Sequence, residues 1–254
     1  MKLHVLGCGT SSGVPRIGND WGRCDPKNPK NRRTRSAIVI KAGGTHILVD
    51  TGPDLRQQLL DADIGRIDHV VWTHEHADHC HGIDDLRQLF FQLGGPIPCH
   101  ARPAALKEIR QRFPFAFEGK GPYPAYAQAF ELPAKSQLGS VNVTVADMPH
   151  GFITSAALRF ENGGKSIAYT TDFTALPAKA KECVAGCDIW VVDALRRREH
   201  PTHPHLALSL DLIAEAKPKR AILTHMDQSM DYDTLCGELP DGVEPGFDGM
   251  EIEI

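Results

Sequence analysis

Trp72-Thr-His-Glu-His-Ala-Asp-His-Cys-His-Gly82 continues the apolar run that starts at His69-Val-Val and sets four potential metal ligands, His74, His76, Asp78 and His79, at the end of a strand. Imidazole and carboxylate donors in this density suit zinc, manganese or iron in a site left open to water. Neutral imidazole binds such ions well at neutral pH. On an extended segment His74 and His76 point to one side, so a chain that turns at residue 77 offers that pair to one cation and Asp78 with His79 to a second. Cys80 and His81 lie outside this pattern and read as structural residues.

Outward from this segment, short β-branched runs alternate with helical periodicity along the chain. Strands are expected at 2–6, 37–41, 45–50, 69–73, 141–147, 167–171, 189–193 and 220–224, and helices at 53–61, 83–93, 103–112, 177–184 and 206–216. The class is α/β. Gly43-Gly44 and Gly163-Gly164 each separate two strand-like runs by a two-residue turn that requires positive φ. The strand after each turn ends in aspartate, at Asp50 and Asp172. His69-Val-Val-Trp-Thr-His74 and Arg220-Ala-Ile-Leu-Thr-His225 form a second matching pair, so the chain reads as two related halves. Two facing sheets with helices outside follow, in a single domain over residues 1–254, since no linker or low-complexity run interrupts the pattern.

Composition narrows the class of partner. A net charge of −4 argues against a large nucleic-acid surface, although Lys27 to Arg35 places five basic residues in nine and can meet a local phosphate or simply solvent. No stretch approaches the roughly 20 apolar residues of a spanning helix. Seven cysteines without framework spacing suit reduced thiols, so a cytoplasmic setting with no membrane partner is expected. Cys183 and Cys187 fit a helix face followed by a strand start.

The ligand segment, preceded by the strand that ends in Asp50-Thr-Gly, resembles the metallo-β-lactamase superfamily over essentially the whole chain. The resemblance implies the αββα sandwich of two mixed sheets. It implies that His150, after Val143-Thr-Val-Ala-Asp-Met-Pro, completes a first site with His74 and His76. Asp78, which also bears on catalysis, and His79 would form the second with His225. Asp172 would bridge the two divalent ions, Zn2+ and/or Mn2+, and Asp50 would sit behind them and orient ligands by hydrogen bonds.

Three pieces are similar to the PhnP-type phosphodiesterases of the bacterial C–P lyase pathway: Gly9-Thr-Ser-Ser-Gly-Val-Pro15, the ligand set, and Gly246-Phe-Asp-Gly-Met-Glu-Ile252. This branch implies a catalytic histidine at His203, with His200 and His205 less central, and a homodimer. Cys24 stands alone and Gln228 occupies a position where zinc-bearing members have histidine, so no additional structural zinc is expected. The glycine-rich loop at 9–15 is a weak phosphate cradle and a better tight connection. Of Arg196, Arg197 and Arg198, one is expected to meet substrate phosphate and at least one to face solvent. The function implied is hydrolysis of a small, cyclic nucleotide or ribosyl phosphodiester to a monoester by metal-activated water. The alternatives are a thioesterase or lactonase on the same fold, and a nucleotide-binding sensor.

Overall fold

Alternation of apolar side chains on both faces of most strands means that each sheet must be covered on both sides, and the architecture follows from that requirement. The computed structural model describes residues 1–254. One seven-stranded sheet contains β1 (Lys2–Gly7), β2 (Ala37–Ala42), β3 (Thr45–Val49), β4 (His69–Trp72), β5 (Ile97–Ala101) and β6 (Ala127–Glu131). The last strand of the chain, β14 (Met250–Glu253), closes it in the order β14-β1-β2-β3-β4-β5-β6. The other holds β7 (Lys135–Leu138), β8 (Val141–His150), β9 (Ile153–Asn162), β10 (Lys165–Thr170), β11 (Ile189–Asp193), β12 (Arg220–Thr224) and β13 (Val243–Pro245). Its order is the mirror of the first, β13-β12-β11-β10-β9-β8-β7. In each sheet a run of antiparallel strands gives way to a parallel run, at β3–β4 and at β10–β11. The two related halves expected from the matched hairpins are thus two sheets of the same plan, and the fold is the αββα sandwich of two mixed sheets.

The period of two sorts the core. Ile38, Ile40, Ile47, Val49 and Val71 point inward to meet Val143, Leu158, Phe160 and Tyr169 of the facing sheet in one buried cluster. The intervening Val39, Leu48, Val70 and Trp72 point outward to a second cluster under α1 (Leu55–Asp61), α3 (Leu86–Leu93) and α4 (Pro103–Arg112), through Leu55, Leu86 and Ile109. Helix α2 (Ala77–Cys80) and α5 (Pro114–Glu118) flank this layer. On the other side α6 (Ala178–Val184), α7 (Leu206–Ala216) and α8 (Tyr232–Glu238) cover the second sheet through Ala180, Val184, Ile213 and Leu235.

Boundaries differ from expectation where local chemistry intervenes. The helix expected at 83–93 begins as a 3₁₀ turn, Ile83–Asp85, which carries two aspartates ahead of the α-helical stretch. Strand β8 runs three residues past the expected end, to His150, since it pairs with β9 to Ile153. Both two-residue turns have the required positive φ at each glycine. All seven thiols are free, Cys183 and Cys187 among those buried in the core.

The C-terminal piece Gly246–Ile252 has a mechanical role. Asp248 accepts hydrogen bonds from the Cys8 amide (3.0 Å), the Thr34 amide (2.6 Å) and the Thr34 hydroxyl (2.7 Å), and so ties the loop after β1 to the segment before β2. Burial raises its carboxyl to about 6, against those hydrogen bonds, which pull it down. Asp248→Ala leaves two main-chain donors without their carboxylate acceptor. Thermal or urea unfolding is expected to show a loss of about 3 kcal/mol, the scale of a buried charge-assisted set.

Candidate metal centre

The turn expected at residue 77 is present. β4 ends at Trp72, His76 is extended (φ −65°, ψ 153°), and α2 begins at Ala77, so Asp78 and His79 leave from its first turn. The helix is docked closely on the end of β3: the Thr51 amide donates to the His79 carbonyl (2.8 Å) and the Gly82 amide to the Thr51 carbonyl (2.8 Å). Gly82 permits this approach, because a Cβ there would lie 2.0 Å from the Gly52 carbonyl oxygen.

Four of the expected residues converge on one side. His74, His76, His150 and Asp172 bring one donor atom each within 4.8 Å of one another. Asp78, His79 and His225 do the same on the other. Asp172 lies between them and divides its oxygens: Oδ2 stands 3.7 Å from His74 Nε2 and 3.5 Å from His150 Nε2. Its Oδ1 stands 3.3 Å from His79 Nε2 and 3.4 Å from His225 Nε2.

The Nε2 atoms of His74, His79 and His225 are buried with no hydrogen-bond partner. A buried polar atom left unpaired costs roughly 1–3 kcal/mol, and three aimed at shared carboxylates form a donor set that fits divalent metal. The far nitrogens of His79 and His150 are held as metal-binding imidazoles need, whereas Nδ1 of His225 has no hydrogen-bond partner. His79 Nδ1 donates to Asp50 Oδ2 (2.7 Å), and His150 Nδ1 donates to the Thr202 carbonyl (3.0 Å). Each contact leaves the Nε2 lone pair facing the centre. Asp50 is itself held by the Thr73 amide (2.8 Å) and hydroxyl (2.9 Å). Asp50, Asp172 and His225 all end strands with positive φ, at 66°, 57° and 57°. Such backbone strain in non-glycine residues gathers at functional sites.

His203 enters the same pocket. Its ring stacks on His225, with centroids 5.0 Å apart, and Nε2 lies 3.8 Å from Asp172 Oδ2. Nδ1 donates to Asp193 Oδ2 (3.1 Å). Asp193, which in the sequence marks only the end of an apolar strand, is the residue that supports both His203 and Asp172. Its Oδ2 also accepts from the Asp172 amide (2.9 Å), while Ser155 Oγ donates to the Asp172 carbonyl (2.6 Å), which pins the backbone of that residue on both sides. The detectable signal was a third strand closing in aspartate, after Asp50 and Asp172. His200 packs against the His203 ring at 5.0 Å, whereas His205 directly precedes α7 and makes no side-chain hydrogen bond to its end. His81 lies against Phe113, and the Cys80 thiol donates to the Glu75 carbonyl, so neither faces the centre.

Burial pushes the His74 and His150 imidazoles below their ordinary range. It acts the same way on His79 and His225, but carboxylates outweigh it. Asp78, Asp172 and Asp50 hold His79 well above the usual value, and Asp172, Asp193 and Asp78 raise His225 to about 9. Burial opposes ionisation of Asp172, yet His225, His79 and His74 hold it well below the carboxylate range. A consequence with opposite signs in two forms follows. In chelator-treated protein the raised imidazolium pKa stabilises the fold fully below the unfolded value near 6.5 and is lost as pH rises through about 9. Its melting temperature is expected to fall over that window. Metal binds neutral imidazole, so the affinity for added Zn2+ is expected to rise over the same window. Calorimetric melts of both forms from pH 6 to 9 check both signs.

The pocket mouth is a cavity of about 340 Å³ bounded by Ser11, His76, Asp78, His150, Phe152 and His203. The loop at 9–15 shapes it as a tight connection: the amides of Gly9, Thr10, Gly13 and Val14 are all spent on carbonyls of the chain. Four of the five basic residues at 27–35 are also committed, and Lys27 is exposed. Lys30 sits over Tyr232 and Phe247, Arg32 over Trp21, Arg33 is buried against the Met230 carbonyl, and Arg35 pairs with Asp54. None of Arg196, Arg197 and Arg198 lines the metal cavity; all three line one neighbouring cleft, where Arg198 is exposed to solvent, as expected of at least one of them. They do so because the segment is irregular and folds Arg196 back on its own carbonyls.

These features define a metallo-hydrolase type of site on an αββα fold. Residues 45–226 match the β-lactamase superfamily domain Lactamase_B_2, and the chain belongs to the metallo-β-lactamase superfamily. A solved diphosphatase from the PhnP family superposes with a TM-score of 0.90 at 33% identity, covering 100% of this chain and 97% of that one. The Zn2+-bound PqqB from Methylobacterium extorquens superposes at 0.81 with 19% identity, covering both chains fully, a likeness of fold. An octanoyltransferase of Porphyromonas gingivalis is 32% identical over all of this chain, which spans 52% of that protein's length. A stretch of 60 residues is 40% identical to ribonuclease Z of Bradyrhizobium sp., covering 23% of this chain and 20% of that one.

Proposed function

We propose that the chain is a phosphodiesterase that works with two divalent cations, Zn2+ and/or Mn2+. His74, His76 and His150 would hold one, Asp78, His79 and His225 the other, with Asp172 shared. The observation that carries this reading is the division of the Asp172 oxygens between two groups of imidazoles whose Nε2 atoms include three without partners. Bound there, divalent cations supply Lewis acidity, which makes water a nucleophile at neutral pH and draws charge from the phosphoryl oxygens.

The remaining chemistry belongs to the side chains. His203, with Nδ1 donating to Asp193, presents Nε2 to the cavity and in its imidazolium form gives a proton to the departing sugar oxygen. Asp193 stabilises that imidazolium and fixes the ring. Asp172 is held at its main chain by Asp193 and Ser155, so proton donor and ligand carboxylate share one support. A cyclic phosphate on a ribose suits the geometry, since one P–O bond breaks, the freed hydroxyl takes the proton, and the product remains a single monoester.

The name of the Porphyromonas gingivalis relative raises an acyl substrate as a second reading. The surroundings disfavour it: only Phe152 and Ile153 are apolar in the metal cavity, and the cleft beside it has no apolar wall. A panel of bis(p-nitrophenyl) phosphate, nucleoside 2′,3′-cyclic phosphates, S-lactoylglutathione and nitrocefin decides. Turnover of the phosphate esters is the expected outcome. Robust thioester turnover with none on phosphate overturns the assignment.

A further inference from the structure

The cleft beside the metal cavity has a volume of about 510 Å³, and five of its eight wall residues are arginines: Arg16, Arg23, Arg196, Arg197 and Arg198. Asp227 is the one acid among them, and its Oδ1 is taken by the amide and hydroxyl of Ser229 (2.7 and 2.6 Å). Arg197 pairs with Glu238 (2.7 Å), and Arg196 donates to the carbonyls of Arg198 and Glu199. Arg16, Arg23 and Arg198 make no side-chain hydrogen bond or ion pair, so their guanidinium donors are unspent. The chain as a whole is acidic, at −4, so this concentration of positive charge is local. Cations crowded round one void repel each other, and an anion placed among them relieves the repulsion.

Position links the cleft to the chemistry. Ser11 and Arg16 lie on the loop after β1, Asp193 and Arg196 at the end of β11 and just beyond, and His225 and Asp227 just after β12. The Asp227 amide donates to the Leu195 carbonyl (2.8 Å) and the Thr10 amide to the Met226 carbonyl (3.2 Å), which joins the three loops. Three residues of chain span at most roughly 10 Å, so the cleft is within reach of a ligand seated at the metal cavity. Its size also speaks. At about 30 Å³ for each water-sized group, 510 Å³ holds on the order of fifteen such atoms, a short chain of phosphoryl groups and more than a lone phosphate.

We propose that this cleft takes the oligophosphate tail of the substrate, two or more phosphoryl groups in a row, while the scissile diester lies at the metal cavity. The assignment rests on the phosphodiesterase reading above and adds to it the specificity-determining residues Arg16, Arg23 and Arg198.

The probe is inorganic tripolyphosphate, titrated calorimetrically into metal-loaded wild type and into R23A/R198A, both of whose replaced side chains are exposed and uncommitted. Affinity is expected to fall by roughly tenfold for each guanidinium removed, the loss of one charge-assisted hydrogen bond. In parallel, kcat/KM is measured for nucleoside 2′,3′-cyclic phosphates that carry a 5′-hydroxyl, 5′-phosphate or 5′-diphosphate. The wild type is expected to prefer the longer tails, and the double variant to flatten the series. Equal tripolyphosphate affinity in the two proteins overturns the anion site. A lower affinity in the variant beside a flat series in the wild type overturns the assignment of the tail. If no diester is turned over at all, including bis(p-nitrophenyl) phosphate, the phosphodiesterase reading falls and the tail assignment with it, while the titration still decides the anion site.

Discussion

Asp172→Ala is expected to lose diester hydrolysis by about three orders of magnitude or more, together with bound metal. The carboxylate faces both imidazole groups at once, and metal-assisted charge stabilisation is worth several kcal/mol, at roughly 1.4 kcal/mol for each tenfold in rate. Alanine is strained at φ 57°, so the cleaner variant is Asp172→Asn. Asparagine tolerates that backbone and keeps the shape of the side chain while it removes the charge. Its metal content and turnover are expected to collapse while its far-ultraviolet circular dichroism stays that of the wild type. Two bound equivalents and near-normal turnover in the asparagine variant are incompatible with a shared ligand at this position.

The second large effect is at His203. His203→Ala is expected to lower kcat by about 10²–10⁴ on substrates that expel a sugar alkoxide, the range of a lost general acid. Nitrophenyl esters expel an anion that needs no proton, so their kcat is expected to change far less. Asp193→Asn tests the support behind the ring, because it weakens the acceptor of His203 Nδ1 and leaves Nε2 in place. Equal losses on both kinds of leaving group would mean that His203 acts by shaping the pocket and gives no proton.

Much of the centre was legible because the chemistry is local or lies at strand ends. His74, His76, Asp78 and His79 fall within six consecutive positions, and the repeated pattern of hairpin, strand and terminal Asp or His marks Asp50, Asp172 and His225 as strand ends, to which the family resemblance adds their roles and His150. Asp193 was not legible as a partner. It closes an all-apolar strand, and only the parallel register of β10 and β11, with Thr170 opposite Val192, brings it to the Asp172 amide. The arginine cleft shows the same limit from the other side. Four of the five cations in the dense basic run at 27–35 are spent on aromatic rings, a buried carbonyl and Asp54, whereas the cleft draws Arg16 and Arg23 from flanking positions that no local pattern marks. Strand β5 carries Pro98 between two neighbours, a residue that argues against an inner strand in sequence.

Metal content and diester hydrolysis measured on one purified sample, before and after chelator and again after metal is restored, test the centre most directly. About two equivalents of transition metal per chain, activity that disappears with the metal and returns with it, is the predicted result. A chain that holds less than one equivalent, takes up no more when metal is offered, and hydrolyses its substrate undiminished in chelator contradicts it.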